Sequence, residues 1–306
     1  MNPETTPAAG RPARLAVGII GAGRAGTALG VALARAGHQV VAASAVSDAS
    51  LRRAHANFPA AVITEPSQVL RRADLVLLTV PDDALPGLVA GLAATGAWQA
   101  GQLVVHTSGR YGWRVLDPAV QAGAIPLALH PAMTFSGTSL DLSRLTDCCF
   151  GVTAPTPVLP IGQALVVEMG AEPVVIAEEL RPLYHAALAH GANHLITLVA
   201  QALELLRAAG VEQADRVLAP LLSAALDNGL RHGDAALTGP VARGDAGTVA
   251  AHLEAIAATG LVGTESAYRA MARLTADRAL ASGRLRPDAA AALLAVLAEP
   301  PLDLPR

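Results

Sequence analysis

The stretch Leu15-Ala16-Val17-Gly18-Ile19-Ile20-Gly21-Ala22-Gly23-Arg24-Ala25-Gly26 decides how the rest of the chain is read. Its apolar opening has the composition of a strand buried on both faces. It runs without a break into Gly-x-Gly-x-x-Gly, and Thr27 to Arg35 follows with helical character. Strand, glycine turn and helix in this order form the dinucleotide-binding fingerprint in the context it needs. Gly21 is expected to make the tight turn, Gly23 to let a pyrophosphate approach the backbone, and Gly26 to let helix and strand pack closely. The free amides and positive end of that helix are expected to hold the phosphates, with Gly21, Ala22, Gly23, Arg24, Ala25 and Gly26 as the contacting residues.

Downstream, short apolar segments alternate with helical ones. Strands are expected at 14–20, 38–43, 61–63, 73–80, 103–106, 125–129, 148–154 and 172–176. Such alternation predicts an α/β fold with a doubly wound, mainly parallel Rossmann sheet. After about residue 177 the strands stop. One long helix is expected from Glu178 to Ala209, with Pro182 in its first turn and Gly210 as its stop. Further helices are expected over 213–231, 248–258, 265–282 and 287–298. The expected organisation is a loose tail (1–13), a nucleotide domain (14–177) and an all-helical second domain (178–306) for substrate and dimerisation.

Composition narrows the chemistry. The chain has 306 residues, 52% of them hydrophobic and only 3% aromatic, so its core must be built of Ala, Leu and Val. A formal charge of -3 gives no electrostatic reason to expect nucleic acid or an anionic membrane as partner. No uninterrupted apolar run is long enough for a transmembrane helix, and the first residues lack an apolar signal core. The only cysteines, Cys148 and Cys149, are adjacent, which suits neither a disulfide framework nor a metal site. They read as buried free thiols in a strand, and a reducing cytoplasm is the expected compartment. All 22 basic residues are arginine. Schiff-base chemistry on lysine and a lysine general acid are therefore excluded, leaving His, Tyr, Cys, a carboxylic acid or water as proton donor.

Ligands of such sheets bind beyond the carboxyl ends of the strands. At the end of the second strand no acid stands ready for a ribose 2′-hydroxyl. Ser44 and Ser47 are neutral, and Arg52 and Arg53 follow. Small hydroxyls with arginine favour NADP over NAD, although Asp48 lies close enough to weigh against it and a deazaflavin remains open. Val80 and Pro81, after the fourth strand, and His106, ending the fifth, complete the expected cofactor contacts.

His130, before Pro131 at the end of the sixth strand, has the ordinary pKa of a donor to a developing alkoxide. Ser108 is placed to orient substrate or the nicotinamide amide. His185 and Asn193 share a helix face at i and i+8. Arg243, in the loop Thr238-Gly239-Pro240-Val241-Ala242-Arg243-Gly244-Asp245, offers a guanidinium to a substrate carboxylate. Its loop also reads as a cap, with Asp245 or Thr248 starting the next helix. His190 and His194 have i, i+4 spacing but lack a third ligand in register, so no metal is expected.

Three motifs carry a family resemblance: His106-Thr107-Ser108-Gly109 with Leu129-His130-Pro131-Ala132-Met133-Thr134-Phe135; Tyr184-His185-Ala186-Ala187 with Asn193; and Ala236-Leu237-Thr238-Gly239-Pro240-Val241-Ala242-Arg243-Gly244-Asp245 with His252. With the glycine turn and Thr79-Val80-Pro81-Asp82-Asp83, the chain resembles a Rossmann-like oxidoreductase family that carries its own C-terminal domain of unknown function. The wider group includes pyrroline-carboxylate reductases and 3-hydroxyacid dehydrogenases. The resemblance implies an NADP-type oxidoreductase, with ketopantoate reduction among the activities suggested for such proteins. Where the wider group carries Lys-x-x-x-Asn, a match at Asn193 puts Ala189 in the lysine position, so that donor is vacant. The expected reaction is reduction of a small carboxylate-bearing keto or imino compound in a homodimer. His130 or His185 is the expected donor, and the helical domain is expected to complete the substrate site. Pyrroline-carboxylate reduction, prephenate-type oxidation and a dinucleotide sensor without turnover are the rivals.

Overall fold

The computed structural model describes residues 14–298. The expected tail, 1–13, lies outside them. Two compact units divide the chain after Gly191.

The first unit is an eight-stranded sheet: β1 (Ala16–Ile20), β2 (Gln39–Ser44), β3 (Val62–Ile63), β4 (Leu75–Leu78), β5 (Leu103–His106), β6 (Ile125–Pro131), β7 (Cys149–Thr153) and β8 (Glu172–Val175). Their order is β3-β2-β1-β4-β5-β6-β7-β8. Every neighbouring pair is parallel except β6 with β7. The helices are α1 (Arg24–Arg35), α2 (Asp48–Asn57), α3 (Pro66–Leu70), α4 (Leu85–Ala94), α5 (Asp117–Val120), α6 (Leu140–Thr146), α7 (Leu159–Glu168) and α8 (Arg181–Leu188).

Alternation along the strands sorts the core into two layers, as a doubly covered sheet requires. Val17, Ile19, Leu75, Leu77, Leu127 and Leu129 bury one way, with Leu29, Leu33 and Val166 from α1 and α7. Ile20, Val76, Leu78 and Val104 bury the other way, with Val69, Leu85 and Val89 from α3 and α4. Cys148 is buried, but Cys149 is exposed, correcting the expectation that both thiols lie inside. Side chains alternate across a strand, so two adjacent cysteines at the sheet margin cannot share a face. Burial pushes the Cys148 thiol up to about 11.

The expected long helix is interrupted. A 3-10 turn (Glu178–Leu180) leads into α8, and a π-helical segment (Ala189–Asn193) separates α8 from α9 (His194–Ala208). The end of the strand alternation placed the domain change near 177; α8 lies in the first unit, where Arg181 anchors it to the sheet. That guanidinium is wholly buried and donates to the carbonyls of Ala128 (2.9 Å) and Gly151 (3.3 Å) on β6 and β7.

The second unit is helical: α9, α10 (Ala214–His232), α11 (Gly239–Arg243), α12 (Ala246–Ala258), α13 (Val262–Ala281) and α14 (Pro287–Leu297). Val249, Leu253, Ala272, Ala276, Leu293 and Leu297 form its core. Among the described residues no helix is long and apolar enough to cross a membrane.

Candidate active site

The glycine turn sits at the carboxyl end of β1. Gly21 has φ +95°, and its amide and that of Ala22 donate to the Ser44 carbonyl at 3.0 and 2.9 Å. Thr79, the first residue beyond β4, donates its hydroxyl to the Gly21 carbonyl at 2.6 Å. A Cβ on Gly21 would stand 2.7 Å from the Thr79 carbonyl oxygen, and one on Gly26 would collide with Thr79 Oγ1. Thr79 is thus a positioning residue, which the sequence motif contained without assigning it a role; its place just after a central strand neighbouring β1 was the available signal. Gly21→Ala meets both a strained φ and a backbone clash. It should lose about 1–3 kcal/mol of stability and nicotinamide-nucleotide binding with it, measured by urea unfolding and calorimetry.

Gly23 differs from the other two. The nearest atom to a Cβ built there is the Gly21 carbonyl oxygen, at 3.8 Å. The protein itself leaves that space free, which fits a backbone kept bare for a ligand. No side chain caps α1 and no acid stands in its first turn, so Arg24, Ala25 and Gly26 present amides without helical partners. The Ala22 amide, expected among the phosphate donors, is used by Ser44 instead. With those three amides and the helix dipole, the turn fits a dinucleotide diphosphate.

The structure moves several expected contacts. Ser44 acts through its carbonyl. Ser47 caps α2, its Oγ accepting from the Ser50 amide at 3.2 Å, and Asp48 begins that helix. Arg52 is exposed, while the half-buried Arg53 lines a cavity beside α1. Val80 is half-buried and Pro81 exposed after β4. His106 is fully buried, its Nε2 2.8 Å from the Gly112 carbonyl and its Nδ1 accepting from the Ser108 amide at 3.2 Å. Burial brings its pKa down to about 3. This ring braces its own loop. Ser108, also buried, accepts from the amides of Arg110 and Tyr111, both at 3.2 Å. Its hydroxyl oxygen holds a turn.

At the end of β6 three aromatic side chains converge. His130 Nδ1 lies 3.0 Å from the Tyr184 hydroxyl. The rings of His130 and His185 meet edge to face with centroids 5.8 Å apart. Both press on Gly109, where a Cβ would fall 2.6 Å from His185 Cδ2 and 2.9 Å from His130 Nε2. Burial first, then the Arg181 and His185 charges, bring the His130 pKa down to about 4. The imidazole is neutral at pH 7. Burial also raises the Tyr184 pKa. The phenol therefore keeps its proton at neutral pH. His130 and His185 were expected from sequence; Tyr184, between them and Arg181, was not marked as a site residue.

In the second unit, Asn193 is exposed at the end of the π segment. Arg243 is exposed at the end of α11, just before the left-handed Gly244. Asp245 is the cap of α12, its Oδ1 accepting from the Thr248 amide at 3.1 Å. His252 Nδ1 pairs with the Tyr268 hydroxyl at 2.8 Å.

Residues 1–131 match the family description "Rossmann-like domain", and residues 148–275 match "Domain of unknown function (DUF2520)". No curated protein matches the chain in sequence. Among solved structures, a Bacteroides fragilis protein assigned as an NADP oxidoreductase has a TM-score of 0.71 at 23% identity, covering 86% of this chain and 98% of that one. A Thermotoga maritima protein has a TM-score of 0.64 at 19% identity, covering 87% and 99%. An imine reductase from Pseudomonas sp. has a TM-score of 0.65 at 18% identity, covering 94% and 100%. At such identities the likeness is one of fold.

Proposed function

For a chain that joins a Rossmann-like domain to a DUF2520 helical domain, we propose an NADPH-dependent reductase acting on a C=O or C=N bond of a small carboxylate-bearing substrate, with ketopantoate as the first keto acid to try. The observation that carries this reading is the Tyr184–His130–His185 cluster on the same strand-end edge as the glycine turn. From β1 to β6 is three strand steps, about 14 Å, a span that an extended dinucleotide bridges.

A bound nicotinamide supplies the hydride. The chain's own residues supply the rest. The amides of Arg24, Ala25 and Gly26 hold the diphosphate. Tyr184 donates to His130 Nδ1, which leaves the ring proton on Nε2, against Gly109. His185, packed edge to face on His130, is the donor to the oxygen or nitrogen that gains negative charge. The absence of lysine leaves no competing amine for this step.

The test is calorimetric titration with NADPH and NADH, followed by NADPH oxidation across a panel of 2-keto acids and cyclic imino acids. Binding of NADPH with turnover of at least one class supports the reading. Tight NADPH binding with no oxidation across the panel would make the protein a nucleotide sensor and overturn it.

A further inference from the structure

We propose that Arg24 and Arg53 form a built site for a phosphate monoester, separate from the main-chain amides of the glycine turn. A cavity of about 200 Å³ lies between α1, α2 and the segment from Gly137 to Leu142. Arg24 enters it from the first residue of α1, and its aliphatic stem packs on Gly137. Arg53 enters from the opposite wall, on α2. Asn57, one turn further on, donates to the Arg53 carbonyl at 2.9 Å and lines the same space.

The charges in this cavity do not balance. Among the described residues neither guanidinium takes part in an ion pair. Arg53 Nη1 is shut away from solvent and hydrogen-bonded to nothing. A buried guanidinium N–H without an acceptor is costly. The one carboxylate in the wall, Asp141, does not serve as the counter-ion. Its Oδ1 accepts from the Ser136 amide and hydroxyl at 2.9 and 2.7 Å, and its Oδ2 from the Gly137 amide at 2.7 Å. Asp141 thus orders the loop and leaves the two arginines without a partner.

An anion with several acceptor oxygens satisfies that arrangement. Guanidinium groups match phosphate with paired, charge-assisted hydrogen bonds. The volume is below that of pockets that enclose a drug-sized ligand, so it suits a phosphate group and its ester linkage rather than a whole nucleotide. The phosphate has two sources: the ribose 2′-phosphate of a dinucleotide held on the glycine turn, or a free phosphorylated compound. The first source rests on the proposed cofactor; the second is independent of it.

The experiment titrates inorganic phosphate, adenosine 2′-monophosphate, NADPH and NADH into the full chain and into Arg24→Gln and Arg53→Gln, with thermal melts to confirm folding. Arg24 is exposed, so its variant tests the site even if Arg53→Gln fails to fold. The expected result is a loss of at least about 10-fold in affinity for phosphate and adenosine 2′-monophosphate in each variant, with NADH binding by Arg53→Gln, whose residue has no part in the glycine turn, within twofold of the parent. If NADPH affinity falls by the same factor, the site takes the dinucleotide's 2′-phosphate. If NADPH is unaffected while phosphate binding is lost, it takes a free phosphate. Undiminished binding of both phosphate probes to the variants, or no binding of either to the parent at millimolar concentration, overturns the proposal. Failure of NADPH and NADH alike to bind would count against the cofactor instead.

Discussion

His185→Ala is expected to lower turnover by roughly 10²–10⁴-fold, the usual worth of a positioned general acid, while the dissociation constant for NADPH stays within about twofold. The reason lies in how the three rings share their protons. His130 is held neutral, with a pKa of about 4, by burial and the nearby Arg181 charge. Tyr184 keeps its proton because burial raises its pKa. His185 packs edge to face on His130 and lies against Gly109. His130→Ala should cost less, since it removes the ring against which His185 packs and not the donor itself. Steady-state kinetics with NADPH titrations on both variants decide the point. Full activity in His185→Ala with loss in His130→Ala would transfer the donor role to His130.

Acid should unfold this protein unusually early. Unfolded histidines take up a proton near pH 6.5, but His106 and His130 in the fold do so only near 3 and 4. Below pH 6.5 the unfolded chain therefore binds more protons, and stability falls with pH. The contribution is fully present above pH 6.5 and erodes as the pH drops toward the folded values. Two such groups remove roughly 4 kcal/mol between pH 7 and pH 5, a large part of a typical domain's stability of about 5–15 kcal/mol. The carboxylates with lowered pKa values, Asp141 and Asp245, titrate below this window. Urea unfolding at pH 7, 6 and 5 measures the loss. His106→Gln should roughly halve the slope, since its amide can still donate to the Gly112 carbonyl. A stability unchanged over that range would show that these histidines are not held neutral in the fold.

The eight strands were all legible because each is a local signal: a short run of apolar residues set off from the helical segments around it. The glycine turn was legible for the same reason, since its spacing is fixed by a single βα unit. The candidate site was legible only in part. His130 and His185 stood out as ionisable residues near element ends. Tyr184 did not, because its hydroxyl gains meaning only from His130, 54 positions away. His106 and Ser108 looked equally well placed, yet their polar atoms are used by the loop that carries them.

What the sequence determined by itself was architecture: a strand–turn–helix that bares main-chain amides, an alternation that builds a parallel sheet, and a helical remainder. Periodicity and glycine spacing act within a few residues, so no partner was needed to read them. Which of two neighbouring side chains does the work was decided by the tertiary structure. Arg52 and Arg53 are equivalent as letters, but successive residues on a helix point about 100° apart, and the packing of α2 beside α1 exposes the first and turns the second into a cavity. Likewise, burial under α8 and not composition fixes the charge state of His130, because the cost of a proton there depends on the atoms that replace water.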